Sequence, residues 1–310
     1  MTPSGTVTGR LLHEAMFYRG TREFLSLAMA FVTTALAADE PVLVAVPGRR
    51  MELLRQRLGS AAATVRFVDM TETGRNPGRI IPFLLQAFTT EHRGRPARVL
   101  GEPIWPERTA EEYGACVQHE ALINLALDDT AGTVLCPYDV ASLPPAVLAD
   151  ARRTHPFVSE RGSRRPSPPY RPSLDPGLSE PLQPHPGPVR QVSFDASGLR
   201  DLRRFAAAEA AIAGLDPDRI DDLLLAVNEL AANTVRYSGG PGVLRIWCTD
   251  RDLVCEVHDQ GRLTDPLAGR LTPPPDSPGG RGLLIVNHLC DLVRIHTTER
   301  STTVRIYFRR

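Results

Sequence analysis

The sequence of 310 residues predicts an α/β protein built from two domains. In its first half, short apolar runs alternate with helical patterns, which is typical of a mostly parallel sheet covered by helices on both faces. In its second half, two long helical patterns come before most of the strands, which is typical of a two-layer α/β sandwich. A stretch rich in proline separates the halves. We therefore predict domains at residues 1–158 and 189–310, joined by a linker at residues 159–188.

The spacing of the apolar residues predicts the elements of each half. In the first half we predict strands at residues 41–46, 64–68, 97–100 and 132–136, and helices at residues 22–38, 49–58, 80–92 and 110–127. In the second half we predict strands at residues 188–194, 242–248, 253–258, 291–297 and 302–308, and helices at residues 198–213, 218–237 and 282–289.

The linker is predicted from its proline content. Nine of the 28 prolines fall within residues 161–190. Proline has no N–H group and a fixed φ angle, so this run can neither continue a helix nor donate to a sheet. We expect an extended, semi-rigid spacer. A passive linker is the simpler interpretation, and a docking site for a proline-binding domain is the alternative.

Composition argues against several kinds of partner and site. The 36 basic residues balance the 36 acidic residues, so net charge indicates neither a nucleic-acid nor a membrane partner. The first 25 residues lack the continuous apolar segment of a secretory signal, and no stretch is long and apolar enough to span a bilayer. The five cysteines form no CxxC pair and have no histidine at ligand spacing. We therefore expect reduced thiols, a cytoplasmic location and no zinc site.

The first polar motif lies in the predicted helix at residues 218–237. Glu229 and Asn233 are one helical turn apart, so their side chains share a face that is otherwise apolar. A carboxylate and a carboxamide on such a face suggest a binding site. Taken alone, an exposed Glu and a helix-end Asn are the commoner explanation.

The second motif directly follows the predicted strand at residues 253–258. Asp259 can accept a hydrogen bond at the strand end, and Gly261 lets the backbone approach a flat ring closely. Asp and Gly are also common in ordinary strand-to-loop turns.

The third motif contains Gly279, Gly280 and Gly282 at the start of the predicted helix at residues 282–289. Glycines at a helix start expose N–H groups that can hold phosphate, and the helix dipole assists. A glycine-rich helix start also occurs without a ligand. The P-loop pattern GxxxxGK[ST] is absent from the chain.

Together the three motifs resemble the N, G1 and G2 boxes of the GHKL ATPases over roughly residues 190–310. The resemblance implies a domain that binds ATP with Mg²⁺. It implies that Asn233 coordinates the magnesium ion and that Glu229 acts as the base or orients water. The remaining roles concern the nucleotide: Asp259 and Gly261 would bind the adenine, Gly280 and Gly282 would border a lid over the phosphates, and Thr302 or Thr303 would supply a hydroxyl near the adenine.

Two positions depart from the family pattern. Arg262 stands where a second glycine is frequent, and Ser301 stands where a glycine usually precedes the threonine pair. Both departures bear on catalysis more than on nucleotide binding.

The compact second domain and its segment AVNELAANTVRYS look like the RsbW-like serine kinases that act as anti-sigma factors. The resemblance implies a regulator of transcription in stress responses. Such a protein binds a sigma factor, phosphorylates a serine on a STAS-domain anti-anti-sigma partner, and forms a homodimer through the kinase domain.

Two other functions remain open at this point. The protein could be an ATP-gated anti-sigma module without kinase turnover. It could also be a sensor histidine kinase, which needs a phosphoacceptor histidine on a long helix just before the ATPase domain. The proline-rich linker occupies that place, and His119-Glu120 is not followed by the Arg and Pro of such a site. We therefore interpret His119 as a helix histidine with a structural or ligand-contact role.

Residues 10–158 resemble the MEDS sensory domain, which is found in a dichloromethane-responsive regulator and is paired with anti-sigma kinase domains in the RsbA-like group of actinobacterial regulators. The resemblance is carried by His13-Glu14, Tyr18, the PVLVAVP run, Asp69 and Glu72, Asn76-Pro77, Gly101 through Trp105, His119 through Asn124, and Cys136 through Asp139.

The first domain also resembles a RecA-type core in which residues 17–23 replace the P-loop. These residues lack the Lys-Ser/Thr pair that would hold phosphate and magnesium, so we expect a sensor that does not bind nucleotide. Glu102, Trp105, His119 and Glu120 are candidates for a sensory ligand site, because α/β sheets place ligands at strand ends. A satisfied polar network is an equally good explanation of these four residues.

Overall fold

The computed structural model describes residues 11–172, 181–274, 276–277 and 279–310. The chain divides into two compact units, Met1–Leu174 and Asp175–Arg310. Part of the predicted linker, residues 173–180, lies outside the described residues, as do the first ten residues and the loop prolines Pro275 and Pro278.

The first unit contains the predicted parallel sheet. Its strand order is β3-β2-β4-β5-β1-β6-β7, and every neighbouring pair is parallel except β6 with β7. The strands are β1 Leu11–Tyr18, β2 Val42–Val46, β3 Val65–Asp69, β4 Ala97–Gly101, β5 Gly132–Asp139, β6 Phe157–Glu160 and β7 Ser163–Pro166. This arrangement confirms the α/β class of the first half.

Five helices accompany this sheet: α1 Gly20–Ala37, α2 Gly48–Leu58, α3 Gln86–Glu91, α4 Ala110–Ala126 and α5 Pro145–Thr154. A π-helical turn, Ile80–Leu85, leads into α3. Phe24, Ala28 and Val32 stand at every fourth position of α1. They pack with the valines of β2 in one apolar cluster. This periodic burial is what makes the segment a helix packed on the sheet.

The inner strand β1 is not among the predicted elements. It pairs with β5 on one side and β6 on the other, and its polar residues His13 and Glu14 are only 1% and 8% exposed. A strand buried on both faces is normally a continuous apolar run. The two polar side chains interrupt that run, and the sequence pattern was therefore missed.

The start of the predicted linker also differs from the structure. Residues 159–166 belong to the hairpin of β6 and β7 in the first sheet. Pro166 is tolerated because it ends an edge strand, where its missing N–H is not needed. The remaining domain boundaries stay predictions.

The second unit is a sandwich of three helices on a five-stranded antiparallel sheet. The sheet order is β11-β12-β10-β9-β8. Its elements are β8 Arg190–Phe194, α6 Leu199–Ile212, α7 Pro217–Tyr237, β9 Gly242–Cys248, β10 Asp252–Asp259, α8 Gly282–Leu289, β11 Leu292–Thr297 and β12 Thr302–Arg309. One apolar core joins the helices to the sheet, which confirms the predicted two-layer fold.

Local chemistry explains where α7 begins. The Asp216 side chain accepts a hydrogen bond from the Asp218 backbone N–H, and Pro217 occupies the first helical position. Along the helix, Leu223, Val227 and Leu230 recur at helical spacing and are buried in the core. Their burial fixes the rotation of α7 about its axis.

None of the helices in the described part of the chain combines the length and the apolar character needed to cross a bilayer.

Gly132 offers a test of the packing at the centre of the first sheet. It has φ +150°, and a Cβ there would lie 2.3 Å from the Ala97 carbonyl oxygen of the neighbouring strand β4. We predict that Gly132→Ala lowers the free energy of unfolding of this unit by about 2–3 kcal/mol. The measurement is urea unfolding followed by Trp105 fluorescence in a Trp247→Phe background.

Gly94→Ala is the matched control. Gly94 also has a positive φ, +86°, but nothing lies within 4 Å of a Cβ there. Only the backbone strain applies, so we expect a loss of about 1 kcal/mol. Equal losses for the two substitutions would contradict the close approach of β4 and β5.

Candidate functional site

The polar face of α7 meets the start of α8. A Cβ on Gly282 would lie 2.9 Å from Glu229 Oε2 and 3.4 Å from Asn233 Nδ2. Glu229, Asn233 and Gly282 are all partly exposed. The structure therefore brings the first and third motifs together, and glycine is the residue that permits so close an approach.

The start of α8 can receive an anion. The N-cap residue, Arg281, makes no side-chain capping hydrogen bond, because a guanidinium has no acceptor for the helix N–H groups. It donates to the carbonyl oxygens of Ser277 and Pro274. Uncapped N–H groups and the helix dipole favour negative charge at this end. Gly280, with φ +87°, directly precedes this turn. A Cβ on Gly280 would lie 3.9 Å from the Pro273 side chain and would not approach Asn233 within 4 Å.

Asp259 is the centre of a second polar group, which also contains Thr234, Gly261 and Thr302 and which we call the Asp259 corner. Its Oδ2 accepts a hydrogen bond from Thr234 Oγ1 at 2.7 Å, and its Oδ1 accepts one from the Gly261 N–H at 2.8 Å. Thr302 lies opposite Asp259 in the β10–β12 ladder and donates to the Gly261 carbonyl oxygen at 2.9 Å. Because Thr234 follows Asn233 in α7, the Asp259 corner lies next to the place where α7 meets the start of α8.

The two candidate threonines face opposite sides of the sheet, as successive strand residues do. Thr302 continues the face of Val304 and Ile306 that packs against the helices. Thr303 instead lies 2.9 Å from His258 Nδ1 through its hydroxyl oxygen. Only Thr302 reaches the Asp259 corner.

The first unit has no phosphate-binding loop at the end of β1. A single residue, Arg19, separates β1 from α1. Asp139 Oδ1 accepts a hydrogen bond from the Gly20 N–H at 3.2 Å, and Glu23 Oε2 accepts one from the Arg19 N–H at 2.7 Å. Two carboxylates thus occupy the end of the helix where a nucleotide phosphate would need positive potential.

The four candidate residues of the first unit do not form a single site. Glu102 is buried in an ion pair with Arg50, and the Arg108 guanidinium lies 3.8 Å from the centre of the Trp105 ring. His119 lines a small, mainly apolar cavity, and Glu120 belongs to a buried polar cluster. Cys136 is a member of that cluster and also lines the cavity, so the two environments adjoin at Cys136.

The buried polar cluster consists of His13, Glu120, Cys136 and His155, and we refer to it as the His13 cluster. Burial, together with His155, lowers the pKa of the His13 imidazole to about 4. Burial and the adjacent Glu120 carboxylate raise the pKa of the Cys136 thiol well above its usual value. The sequence did not group these four residues, because they come from β1, α4, β5 and the residue after α5.

Family comparisons agree with both descriptions. Residues 12–156 match the family described as "MEDS: MEthanogen/methylotroph, DcmR Sensory domain". Residues 192–308 match the family described as "Histidine kinase-like ATPase domain". The chain joins a MEDS domain to a histidine kinase-like ATPase domain. The ATPase domain implies ATP binding.

Other comparisons add little. A crystal structure of the RsbU and RsbW domains of Rv1364c from Mycobacterium tuberculosis is similar at 20% sequence identity, with a TM-score of 0.31. The similarity covers 40% of this chain and 33% of that chain, so this chain spans about a third of the structure that it matches. No curated protein matches the chain.

The two departures from the GHKL pattern are located in the ATPase domain as follows. Arg262 is exposed, one residue after Gly261. Ser301 lies in the turn between β11 and β12, where its hydroxyl is 2.9 Å from that of Thr298. Neither side chain has a described hydrogen bond to Glu229, Asn233 or Asp259.

Thr234 is a residue of the ATPase domain for which the sequence analysis predicted no role. It is 1% exposed and donates to the Asp259 carboxylate, so it holds that carboxylate in place from the buried side. Its position gave a signal, because it continues the buried spacing of Val227 and Leu230. A hydroxyl on such a stripe needs a partner.

We predict that Thr234→Val destabilises the ATPase domain by about 1.5–3 kcal/mol, the contribution of a hydrogen bond to a charged group. The two side chains have nearly the same shape, so the change removes mainly the hydroxyl. The measurement is urea unfolding followed by Trp247 fluorescence in a Trp105→Phe background. In an Asp259→Asn background the same substitution should have a smaller effect. Equal effects in both backgrounds would show that the charge of the Asp259 carboxylate adds nothing to the bond.

Proposed function

We propose that the chain is an ATP-dependent serine kinase that acts as an anti-sigma factor, with the MEDS domain as its sensory part. The observation that carries the proposal is the meeting of Glu229 and Asn233 with Gly282 at the uncapped start of α8. A metal-binding amide, a candidate base and an anion-binding helix end lie together in one ATPase domain.

The adenine corner fits its proposed ligand. A carboxylate offers about four lone-pair positions. Thr234 and Gly261 donate to one position on each oxygen of Asp259. The remaining lone pairs can accept the exocyclic amine of adenine, and the Thr302 hydroxyl stands beside them. Asp259 is held in orientation by its two donors before any nucleotide arrives.

The phosphate side fits as well. The Asn233 amide oxygen is a hard ligand of the kind that Mg²⁺ accepts. Gly282 keeps the start of α8 free of a side chain, so its N–H groups can approach the phosphates. Bound Mg-ATP supplies the phosphoryl group. Glu229 stands one turn before Asn233, where its carboxylate can accept the proton of a serine hydroxyl.

The proposed partners follow from the resemblance of the AVNELAANTVRYS segment to RsbW-like kinases. They are a sigma factor, a STAS-domain protein that carries the acceptor serine, and a second copy of the chain. An ATP-gated anti-sigma module without turnover would use the same nucleotide site, and a phosphotransfer assay distinguishes the two.

A sensor histidine kinase is less well supported. His119 is 2% exposed within α4, so its ring is not accessible to a phosphoryl donor. The described residues directly before β8, 181–189, are not helical. A phosphoacceptor histidine must be accessible and must lie on a helix just before the ATPase domain.

The deciding experiment incubates the full chain with labelled ATP and a STAS-domain protein. Acid-stable phosphoserine on the STAS protein supports the kinase. Nucleotide-dependent sigma binding without transfer supports the module. Acid-labile phosphate on the chain itself would support a histidine kinase and exclude the proposal.

We predict that Asp259→Asn weakens ATP binding about ten- to hundred-fold, because it places an N–H group where a charge-assisted acceptor is required. Calorimetry with Mg-ATP measures the change. Asp265→Asn is the control, since Asp265 lies on the surface of the loop after Gly261 and accepts from the Leu267 N–H. Unchanged ATP affinity in folded Asp259→Asn removes Asp259 from the adenine site.

We predict that Glu229 and Asn233 separate catalysis from binding. Glu229→Ala should keep ATP and sigma-factor binding but slow phosphoryl transfer about 10²–10⁴-fold. Asn233→Ala should lose magnesium-dependent ATP binding as well. Asn228→Ala, on the same helix, is the control for loss of an amide. Transfer at the wild-type rate by Glu229→Ala would contradict the role of base.

A further inference from the structure

The His13 cluster of the MEDS domain lies outside the nucleotide site of the proposed kinase. Its four side chains are each at most 1% exposed, and their donor atoms all lie within 4.8 Å of one another. Two imidazoles, a carboxylate and a thiol in one buried place are an unusual combination, because each brings a lone pair that burial leaves without water.

Hydrogen bonds fix which nitrogen of each imidazole carries the proton. His155 Nδ1 lies 2.8 Å from the Ala151 carbonyl oxygen, which can only accept, so Nδ1 carries the hydrogen. His13 Nδ1 lies 3.1 Å from Asn124 Oδ1. The Asn124 amide nitrogen donates to the Thr154 carbonyl oxygen at 2.8 Å, which leaves Oδ1 as the acceptor facing His13. When a ring carries a single proton, its lone pair is therefore on Nε2.

Both Nε2 atoms face the same carboxylate oxygen. Glu120 Oε2 lies 3.1 Å from His13 Nε2 and 3.4 Å from His155 Nε2. Among the residues that the structure describes, none makes a hydrogen bond to His155 Nε2. Lone pairs that converge in this way repel one another unless a proton or a metal cation lies between them.

The spacing suits a tetrahedral ion. Cys136 Sγ lies 3.5 Å from His13 Nε2 and 3.5 Å from Glu120 Oε2. With metal bonds of about 2.0–2.1 Å to nitrogen or oxygen and about 2.3 Å to sulfur, the edges of a tetrahedron are about 3.3–3.6 Å. Four of the six distances between donor atoms span 3.1–3.5 Å, and all six lie within 4.8 Å.

We propose that His13, Glu120, Cys136 and His155 bind one divalent transition-metal ion of the zinc class in a closed tetrahedral site. Binding would release the thiol proton of Cys136 to solvent. The two positive charges of the ion then balance the thiolate and the carboxylate, so the buried site is neutral. Thiolate and imidazole ligands favour zinc over magnesium or calcium.

The surrounding groups support such a site. Tyr138 donates its hydroxyl to Glu120 Oε1 at 3.0 Å, and Ala151 and Asn124 orient the two imidazoles. Partners of this kind orient metal ligands in proteins. Because four protein ligands complete the coordination, the ion is structural, and it joins β1, α4, β5 and the end of α5.

The test uses the full chain without an affinity tag, demetallated and then loaded with Co²⁺. We expect about one ion per chain, as in a closed tetrahedral site, with a thiolate-to-cobalt charge-transfer band and strong visible bands. Cys136→Ser should remove the charge-transfer band. Cys116→Ser should keep it, because this buried thiol donates to the Pro103 carbonyl oxygen and lies outside the cluster.

A second measurement covers the case in which Cys136→Ser does not fold. X-ray absorption at the zinc edge of the zinc-loaded wild-type chain should show about one sulfur and three nitrogen or oxygen neighbours. Failure to bind a stoichiometric ion, a zinc shell without sulfur, or a cobalt band that persists in folded Cys136→Ser would each overturn the proposal.

Discussion

The geometry of the ATPase domain depends on one constraint, which is that α7 is both a core helix and the carrier of polar site residues. Leu223, Val227 and Leu230 are buried against the sheet and set the rotation of the helix. Thr234 continues the same buried spacing and meets Asp259. Asn233 and Glu229 are then directed toward α8. The apolar core and the polar site are therefore fixed by the same packing, and a change in one would move the other.

The N-terminal ends of α1 and α8, one in each domain, differ in the side chains that accept hydrogen bonds there. In the MEDS domain, carboxylates of Asp139 and Glu23 accept hydrogen bonds at the start of α1. In the ATPase domain, α8 also begins at a glycine, but no described carboxylate accepts a hydrogen bond from the N–H groups of its first turn. Both helices have the positive end of the dipole at this terminus, so the difference lies in the neighbouring side chains. The phosphate-binding capacity of the chain is accordingly associated with the second domain.

The sequence predicted most of what depends on local periodicity and less of what depends on distant contacts. The helices α7 and α8 and the strand β10 follow from apolar spacing, and their polar motifs are short enough to be read directly. Strand β1 was missed because His13 and Glu14 interrupt an otherwise apolar run. Glu102, Trp105, His119 and Glu120 were grouped from their types and from their expected positions at strand ends, and the structure gives them different partners. The role of Thr234 could not be predicted from the sequence, because it depends on the contact between α7 and Asp259 at the end of β10.

The parallel order of the first sheet has a consequence for how the MEDS domain acquires its structure. β1, near the beginning of the chain, pairs with β5 and β6, near the end of the domain. The rings of His13 and His155 consequently stand 4.0 Å apart. Contacts between such distant positions form slowly, because a large part of the chain must be ordered before they can be made. During synthesis, the first strand emerges from the ribosome long before either of its neighbours exists. The inner strand β1 is therefore among the last strands of the sheet to be fully paired.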